Sequence, residues 1–294
     1  MNTYSVSLRS GSSGNSTFVR TESAGIAVDC GMSGRQFALA LEAIGQSPRQ
    51  VDALLLTHEH IDHCSGIGVV MRRHKIPLYL TRKTFEALGP ALGPLPDSLI
   101  HLIEAGKPFH VKDIEIEAFS IPHDAHDPVG FRIRTGEGDI GIATDLGYFS
   151  QEVREALTGC RLVHLESNFD PQMLENGSYP RHLKDRIASA RGHLSNEEAG
   201  MAAAWLIRQG TKALALSHLS QENNLPQIAH RVVSGYLQSL GACADQDYCL
   251  TVSARYQVSR PLYCKDPLKQ GRDLMADRSG QQLTLFAGEG ALDG

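Results

Sequence analysis

Apolar and polar positions alternate in short runs through the first half of the chain. Residues 4–8, 16–20, 25–29 and 51–57 each read as a strand, rich in β-branched or alternating apolar residues and bounded by turns. Between the third and fourth, Phe37, Leu41 and Ile44 recur at helical spacing, which predicts a helix over 34–45 with Gly45 as its C-cap. The pattern then predicts a helix at 66–74 and strands at 77–80, 114–121, 130–134, 140–144 and 161–166. A helix at 195–208, a strand at 213–217 and a helix at 225–240 follow. Interspersed strands and helices without a tandem repeat predict a layered α/β sandwich.

From about Lys265 the apolar periodicity stops and the chain becomes polar and glycine-containing, so 1–264 reads as the folded domain and 265–294 as a flexible tail, with 265–280 as linker. With 294 residues, 41% of them hydrophobic and 21% charged, the chain can bury a full core. No stretch approaches the roughly 18 apolar residues of a membrane span, and no basic region followed by an apolar run opens the chain. The six cysteines are scattered, with no CxxC pair, as in reduced cytosolic proteins. A cytoplasmic protein without a membrane segment is expected. The net charge of −5 argues against non-specific coating by nucleic acid but leaves room for a local basic groove.

The chemistry concentrates where the buried strand Leu54-Leu55-Leu56-Thr57 ends and His58-Glu59-His60-Ile61-Asp62-His63 begins. Strand ends are where α/β sheets place their sites. His58 and His60 share a side at a period of two, Asp62 and His63 come round a turn, and four donors converge from six residues. Imidazole and carboxylate together suit Zn, Mn or Fe, and a bound metal brings the pKa of water down to about 7. A solvated polar loop is the bland alternative.

HxHxDH after an apolar strand resembles the signature of the metallo-β-lactamase superfamily. That resemblance implies a four-layer αββα sandwich and two divalent metal ions (Zn or Mn, with Fe as an option). It also implies further ligands at the ends of later strands: His123 in Pro122-His123-Asp124, Asp145 after Thr144, and His218 in Ser217-His218-Leu219-Ser220. By the same resemblance His58, His60 and His123 bind one metal, Asp62, His63 and His218 the other, and Asp145 bridges them. Asp62 also takes up a proton in turnover, and Asp29 supports the histidine loop from behind. His126 is the rival to His123, which is preferred because it follows Ile121-Pro122 directly. Each later residue, taken alone, reads equally well as polar surface.

Two segments narrow the chemistry. Glu166 in Leu165-Glu166-Ser167-Asn168 and His193 in Gly192-His193-Leu194-Ser195 resemble the Glu and His pair of phosphodiesterase members such as ribonuclease Z, which implies a carboxylate orienting a general acid. Ser195 with Glu198 reads independently as a helix capping box. Over nearly all of residues 4–264 the chain is similar to the YycJ (WalJ)-like branch of DNA exonucleases. The matching phrases are Leu8-Arg9-Ser10-Gly11-Ser12-Ser13-Gly14-Asn15-Ser16, His123-Asp124-Ala125 with Pro128-Val129-Gly130, Gly192-His193-Leu194-Ser195-Asn196 and His218-Leu219-Ser220-Gln221-Glu222-Asn223-Asn224. The glycine and serine run reads as a turn, or as the lining of a phosphate path. The interval from Asp145 to His218 is too short for an inserted β-CASP domain.

In the tail, Gln282-Leu283-Thr284-Leu285-Phe286 resembles the pentapeptide by which bacterial repair proteins bind the β sliding clamp, with Gln282, Leu283, Leu285 and Phe286 as contacts. The resemblances together imply a metal-dependent phosphodiesterase, a 5′ to 3′ DNA exonuclease in repair, in which a hydroxide between the metals attacks phosphorus. An RNA-directed nuclease, a thioester hydrolase of the glyoxalase II kind and an inactive scaffold binder are the alternatives. The last would lack ligands, and none is missing.

Overall fold

The computed structural model of the protein describes residues 2–268; the tail from 269 on, including the clamp-like peptide at Gln282, Leu283, Leu285 and Phe286, lies outside the described residues. One seven-stranded sheet contains β1 (Tyr4–Arg9), β2 (Ser16–Arg20), β3 (Gly25–Val28), β4 (Ala53–Leu55), β5 (Leu78–Thr81), β6 (Ile100–Ile103) and β14 (Leu262–Tyr263), in the order β14-β1-β2-β3-β4-β5-β6. The other contains β7 (Phe109–Val111), β8 (Ile114–Ser120), β9 (Val129–Arg134), β10 (Ile140–Ala143), β11 (Leu162–Glu166), β12 (Ala213–Ser217) and β13 (Cys249–Val252), in the order β13-β12-β11-β10-β9-β8-β7.

Side-chain alternation along the strands generates the layers. Ile26, Val28, Ala53 and Leu55 on the first sheet meet Ile116, Phe131, Ile142 and Ala215 on the second in one buried cluster. The intervening Ala27 and Leu54 face outward, onto Phe37 and Leu41 of α1 (Gly34–Glu42) and Val70 and Met71 of α3 (Ile67–His74). On the second sheet Val163, Leu165, Leu214 and Leu216 point outward to α5 (Gln151–Leu157), α8 (Asn196–Arg208) and α9 (Pro226–Ser239), meeting Leu157, Ala203 and Val233. The result is the expected αββα arrangement.

The predicted elements recur with ends shifted by a few residues. Ser33 caps α1 with a capping box to Gln36, and Gly45 lies just past that helix at φ 68°. Four strands and several short helices were not legible in the pattern: β6, β7, β13, β14, α4 (Arg82–Leu88), α6 (Pro171–Asn176) and α7 (Arg181–Ile187), together with α5. The unread strands lie toward the sheet edges and span two to four residues, too short for a period to emerge.

Within both sheets the strands nearest the site run parallel. β3 pairs parallel with β4, and β10, β11 and β12 pair parallel in succession. Their carboxyl ends therefore open on the same side, where Asp29, His58, Asp145, Glu166 and His218 follow or end them.

A candidate dinuclear metal centre

Three residues that leave the strands adopt left-handed backbone: Asp29 (φ 62°), Asp145 (φ 62°) and His218 (φ 57°). Such a conformation costs a non-glycine residue about 1–2 kcal/mol, least for Asp. Asp62 and His63 lie on a one-turn helix, α2 (Ile61–Cys64), whose N-cap is His60, where the sequence suggested only a turn.

These residues converge. His58, His60 and His123 bring donor atoms within 4.8 Å of one another, as do Asp62, His63 and His218, and Asp145 joins His58 and His63 in a third such group. His126, the rival to His123, instead hydrogen-bonds Glu59 at 2.7 Å through Nδ1, with its side chain 67% exposed.

The imidazoles are held from behind. His63 Nδ1 lies 2.8 Å from Asp29 Oδ2, while Asp29 Oδ1 accepts from the Thr57 amide (2.9 Å) and both its oxygens from the Thr57 hydroxyl. His123 Nδ1 contacts the Gly192 carbonyl at 3.1 Å, His58 Nδ1 the Thr57 hydroxyl at 3.0 Å, and His218 Nδ1 Glu166 Oε1 at 2.8 Å. With Nδ1 occupied, Nε2 of each ring faces the cluster. His60 and His123 meet through Nδ1 and Nε2 at 3.4 Å.

Several of the inward atoms are orphans. His58 Nε2, His218 Nε2 and Asp145 Oδ2 are buried without a hydrogen-bond partner, although Asp145 Oδ2 is 3.2 Å from His63 Nε2. A buried polar atom left unpaired costs about 1–3 kcal/mol, which a cation at their focus relieves. The donor set of imidazole nitrogens and carboxylates fits a borderline divalent ion.

The charges agree. Burial would lower the pKa of His63, but Asp145, Asp62 and Asp29 outweigh it and hold the imidazolium well above the ordinary range. His218 shows the same balance: burial opposes the charge, Asp145, Asp62 and Glu166 favour it, and its pKa is pushed up to about 10. Burial, with His63 beside it, holds His58 well below the usual range. Burial would raise Asp145, but His218 and His63 hold it well below the ordinary carboxylate range. The side of the pocket formed by Asp62, His63, Asp145 and His218 attracts positive charge.

Glu166, wholly buried, fastens a further histidine to this cluster. Its Oε1 accepts from His193 Nδ1 as well as His218 Nδ1, both at 2.8 Å, and its Oε2 from the Leu146 and Leu194 amides at 2.6 and 3.1 Å. Burial raises its pKa, but His193 and His218 prevail and hold it below the ordinary value. The His193 side chain is 19% exposed, the accessible member of the pair, and Ser195 beside it forms the expected capping box with Glu198. An open cleft of about 370 Å³, lined by Pro122, His123, His126, Pro128, Tyr148 and Arg191, leads to His123.

Sequence reasoning missed several supports. Asn15 Nδ2 lies 3.2 Å from Asp62 Oδ2 and 3.0 Å from His63 Nε2, the Ser10 hydroxyl accepts from the His218 amide at 2.7 Å, and Asn168 donates to the His218 carbonyl at 2.8 Å. The Leu8 to Ser16 phrase already held two of these residues, but only the fold brings Asn15 against His63, and Ser10 against a histidine 208 positions away.

This fold, with His and Asp donors at the carboxyl ends of its parallel strands, defines a member of the metallo-β-lactamase class. A family model described as "Beta-lactamase superfamily domain" matches residues 25–219, and the chain belongs to that superfamily. Among its relatives, Exodeoxyribonuclease WalJ of Streptococcus pneumoniae is 38% identical, covering 80% of this chain and 87% of the relative. Exodeoxyribonuclease YycJ of Bacillus anthracis is 35% identical, covering 80% and 89%. Of solved structures, the metallo-beta-lactamase fold protein YhfI from Bacillus subtilis superposes with a TM-score of 0.66 at 16% identity, covering 88% of this chain and 99% of that one.

Proposed function

We propose that the protein is a metal-dependent DNA exonuclease that shortens strands from their 5′ ends in DNA repair. The observation that carries this reading is the 38% identity to a named exodeoxyribonuclease across 87% of that relative's length. His58, His60 and His123 would hold one divalent ion, Asp62, His63 and His218 a second, with Asp145 between them; Zn and Mn suit the donors best. Such ions supply Lewis acidity toward phosphate oxygens and toward water.

The protein's own groups do the rest. Glu166 accepts from His193 Nδ1 and so orients the ring with Nε2 free; the imidazolium form, protonated on both nitrogens, delivers its Nε2 proton to the leaving oxygen and is left as the Nδ1–H tautomer that Glu166 holds. Because the same carboxylate oxygen holds His218, the proton donor and the metal-facing ring are held in one frame. Asp62, 3.5 Å from both His63 Nε2 and His218 Nε2, would take up a proton released from water.

The reading extends to the cell. Among the described residues no helix is long and apolar enough to cross a membrane, and all six cysteines are free thiols, which supports a reducing, cytoplasmic setting. Gln282, Leu283, Leu285 and Phe286 would dock on a bacterial sliding clamp and raise the local concentration of enzyme on DNA.

The test is incubation of Zn- or Mn-loaded protein with 5′- and 3′-labelled single- and double-stranded DNA and matched RNA, with Asp62→Ala as contamination control. Stepwise shortening of DNA from the 5′ end, lost in the variant, is expected. Cleavage of RNA alone, or of small thioesters alone, would overturn the substrate assignment.

A further inference from the structure

The loop joining β1 to β2 does more than turn the chain. Through Ser10 on the His218 amide (2.7 Å) and Asn15 on Asp62 Oδ2 (3.2 Å) it is seated against the Asp62 and His218 side of the cluster, while Ser12 and Ser13 stay exposed. Two arginines flank it. Arg9 Nη2 reaches Ser13 Oγ at 3.4 Å, and Arg255 Nη2 donates to the Ser220 carbonyl at 2.7 Å, two residues past His218.

Neither guanidinium has a carboxylate partner among the described residues, and the Nε of each is buried without an acceptor. In a chain of net charge −5, two arginines without an acid partner among the described residues form a local positive field next to the site. Tyr256 completes the patch. The Arg9 guanidinium lies 5.3 Å from its ring centroid, its hydroxyl donates to Gln221 at 2.7 Å, and the residue is 60% exposed. A large aromatic ring held in place from two directions and open to solvent loses little freedom when a base stacks on it.

We propose that Arg9, Arg255 and Tyr256, with the Ser12 and Ser13 hydroxyls, form a subsite for single-stranded DNA flanking the scissile phosphate. The guanidiniums and hydroxyls take a backbone phosphate, and Tyr256 stacks a base. This rests on the DNA exonuclease reading and adds where the strand lies. The subsite reads charge and a π-face, so it is indifferent to sequence.

The test uses metal-loaded, full-length protein and two substrates: a single-stranded oligodeoxynucleotide, and bis(p-nitrophenyl) phosphate, which has no neighbouring nucleotide. Tyr256→Ala is expected to lower the ratio of kcat/KM on the oligonucleotide to kcat/KM on the small diester about 5- to 100-fold. Tyr256→Phe, which keeps the ring, restores the ratio. Arg9→Gln reduces the slope of log Kd against log salt by about 0.7 for a lost phosphate contact. A Tyr256→Ala ratio within about twofold of wild type overturns the subsite while leaving the exonuclease reading intact. Wild-type protein that hydrolyses the small diester but no DNA overturns the exonuclease reading and the subsite with it.

Discussion

Replacing Glu166 by glutamine changes one oxygen into an NH2 and barely alters shape, yet the structure predicts a large effect. The buried carboxylate accepts on Oε1 from the imidazoles of His193 and His218 and on Oε2 from the amides of Leu146 and Leu194. An amide has only one accepting oxygen. Turned toward the imidazoles, it leaves its NH2 against two backbone N–H groups. Each buried donor left unpaired costs about 1–3 kcal/mol, so this arrangement destabilises the fold by about 2–6 kcal/mol. Turned the other way, the NH2 faces both rings and forces their protons onto Nε2, the nitrogen that His218 presents to the cluster. The loss then falls on metal affinity, by about 10- to 100-fold. Urea melts in excess chelator measure the first, and titration of the metal-free protein with Zn or Mn measures the second. A Glu166→Gln protein with wild-type stability, metal affinity and kcat would refute the four-donor account of this carboxylate.

Gly31→Ala should damage the centre without touching a donor atom. A Cβ there would lie 1.6 Å from the Asp62 carbonyl and 2.7 Å from the Asn15 amide, so α2 must move; a loss of unfolding free energy of about 1–3 kcal/mol or more in urea melts and weaker metal binding in titration are expected. His164 predicts a pH effect remote from the centre: buried between the sheets with Nε2 2.8 Å from the Ser5 hydroxyl, it has its pKa lowered by burial to about 4. Between pH 6.5 and 4 the unfolded chain binds a proton that the folded chain does not, so stability falls as pH falls through that window, by about 3 kcal/mol in total. Urea melts at stepped pH should show this slope in wild type and its loss in His164→Gln.

The part of the site visible in the sequence is the part that is contiguous. His58 to His63 declare themselves because four donors crowd into six residues after an apolar strand. His123, Asp145 and His218 are single polar residues at strand ends, legible only once a resemblance says which strand ends to compare. The capping box at Ser195 was visible too, since caps obey local rules. Asn15, Ser10, Thr57 and the Gly192 carbonyl were invisible as supports because each acts on a partner that the fold, not the chain, brings near, except Thr57, which was read merely as the end of a strand.

Backbone strain explains why this centre can be precise although its donors come from loops. Asp29, Asp145 and His218 each sit in left-handed backbone and are buried; Asp29 is tied through its side chain to the Thr57 amide, and His218 through its amide to the Ser10 hydroxyl. A strained residue in a free loop would relax, carrying its donor atom away. Here relaxation would break the Thr57 to Asp29 bonds, the Ser10 to His218 bond or the packing around Asp145, so the fold holds these φ angles against their cost. Chain direction, not loop sequence, therefore sets where the donors point. Substitution of Asp145 or His218 by glycine relieves the strain and deletes the donor, and urea melts in excess chelator beside metal titration separate the first effect from the second.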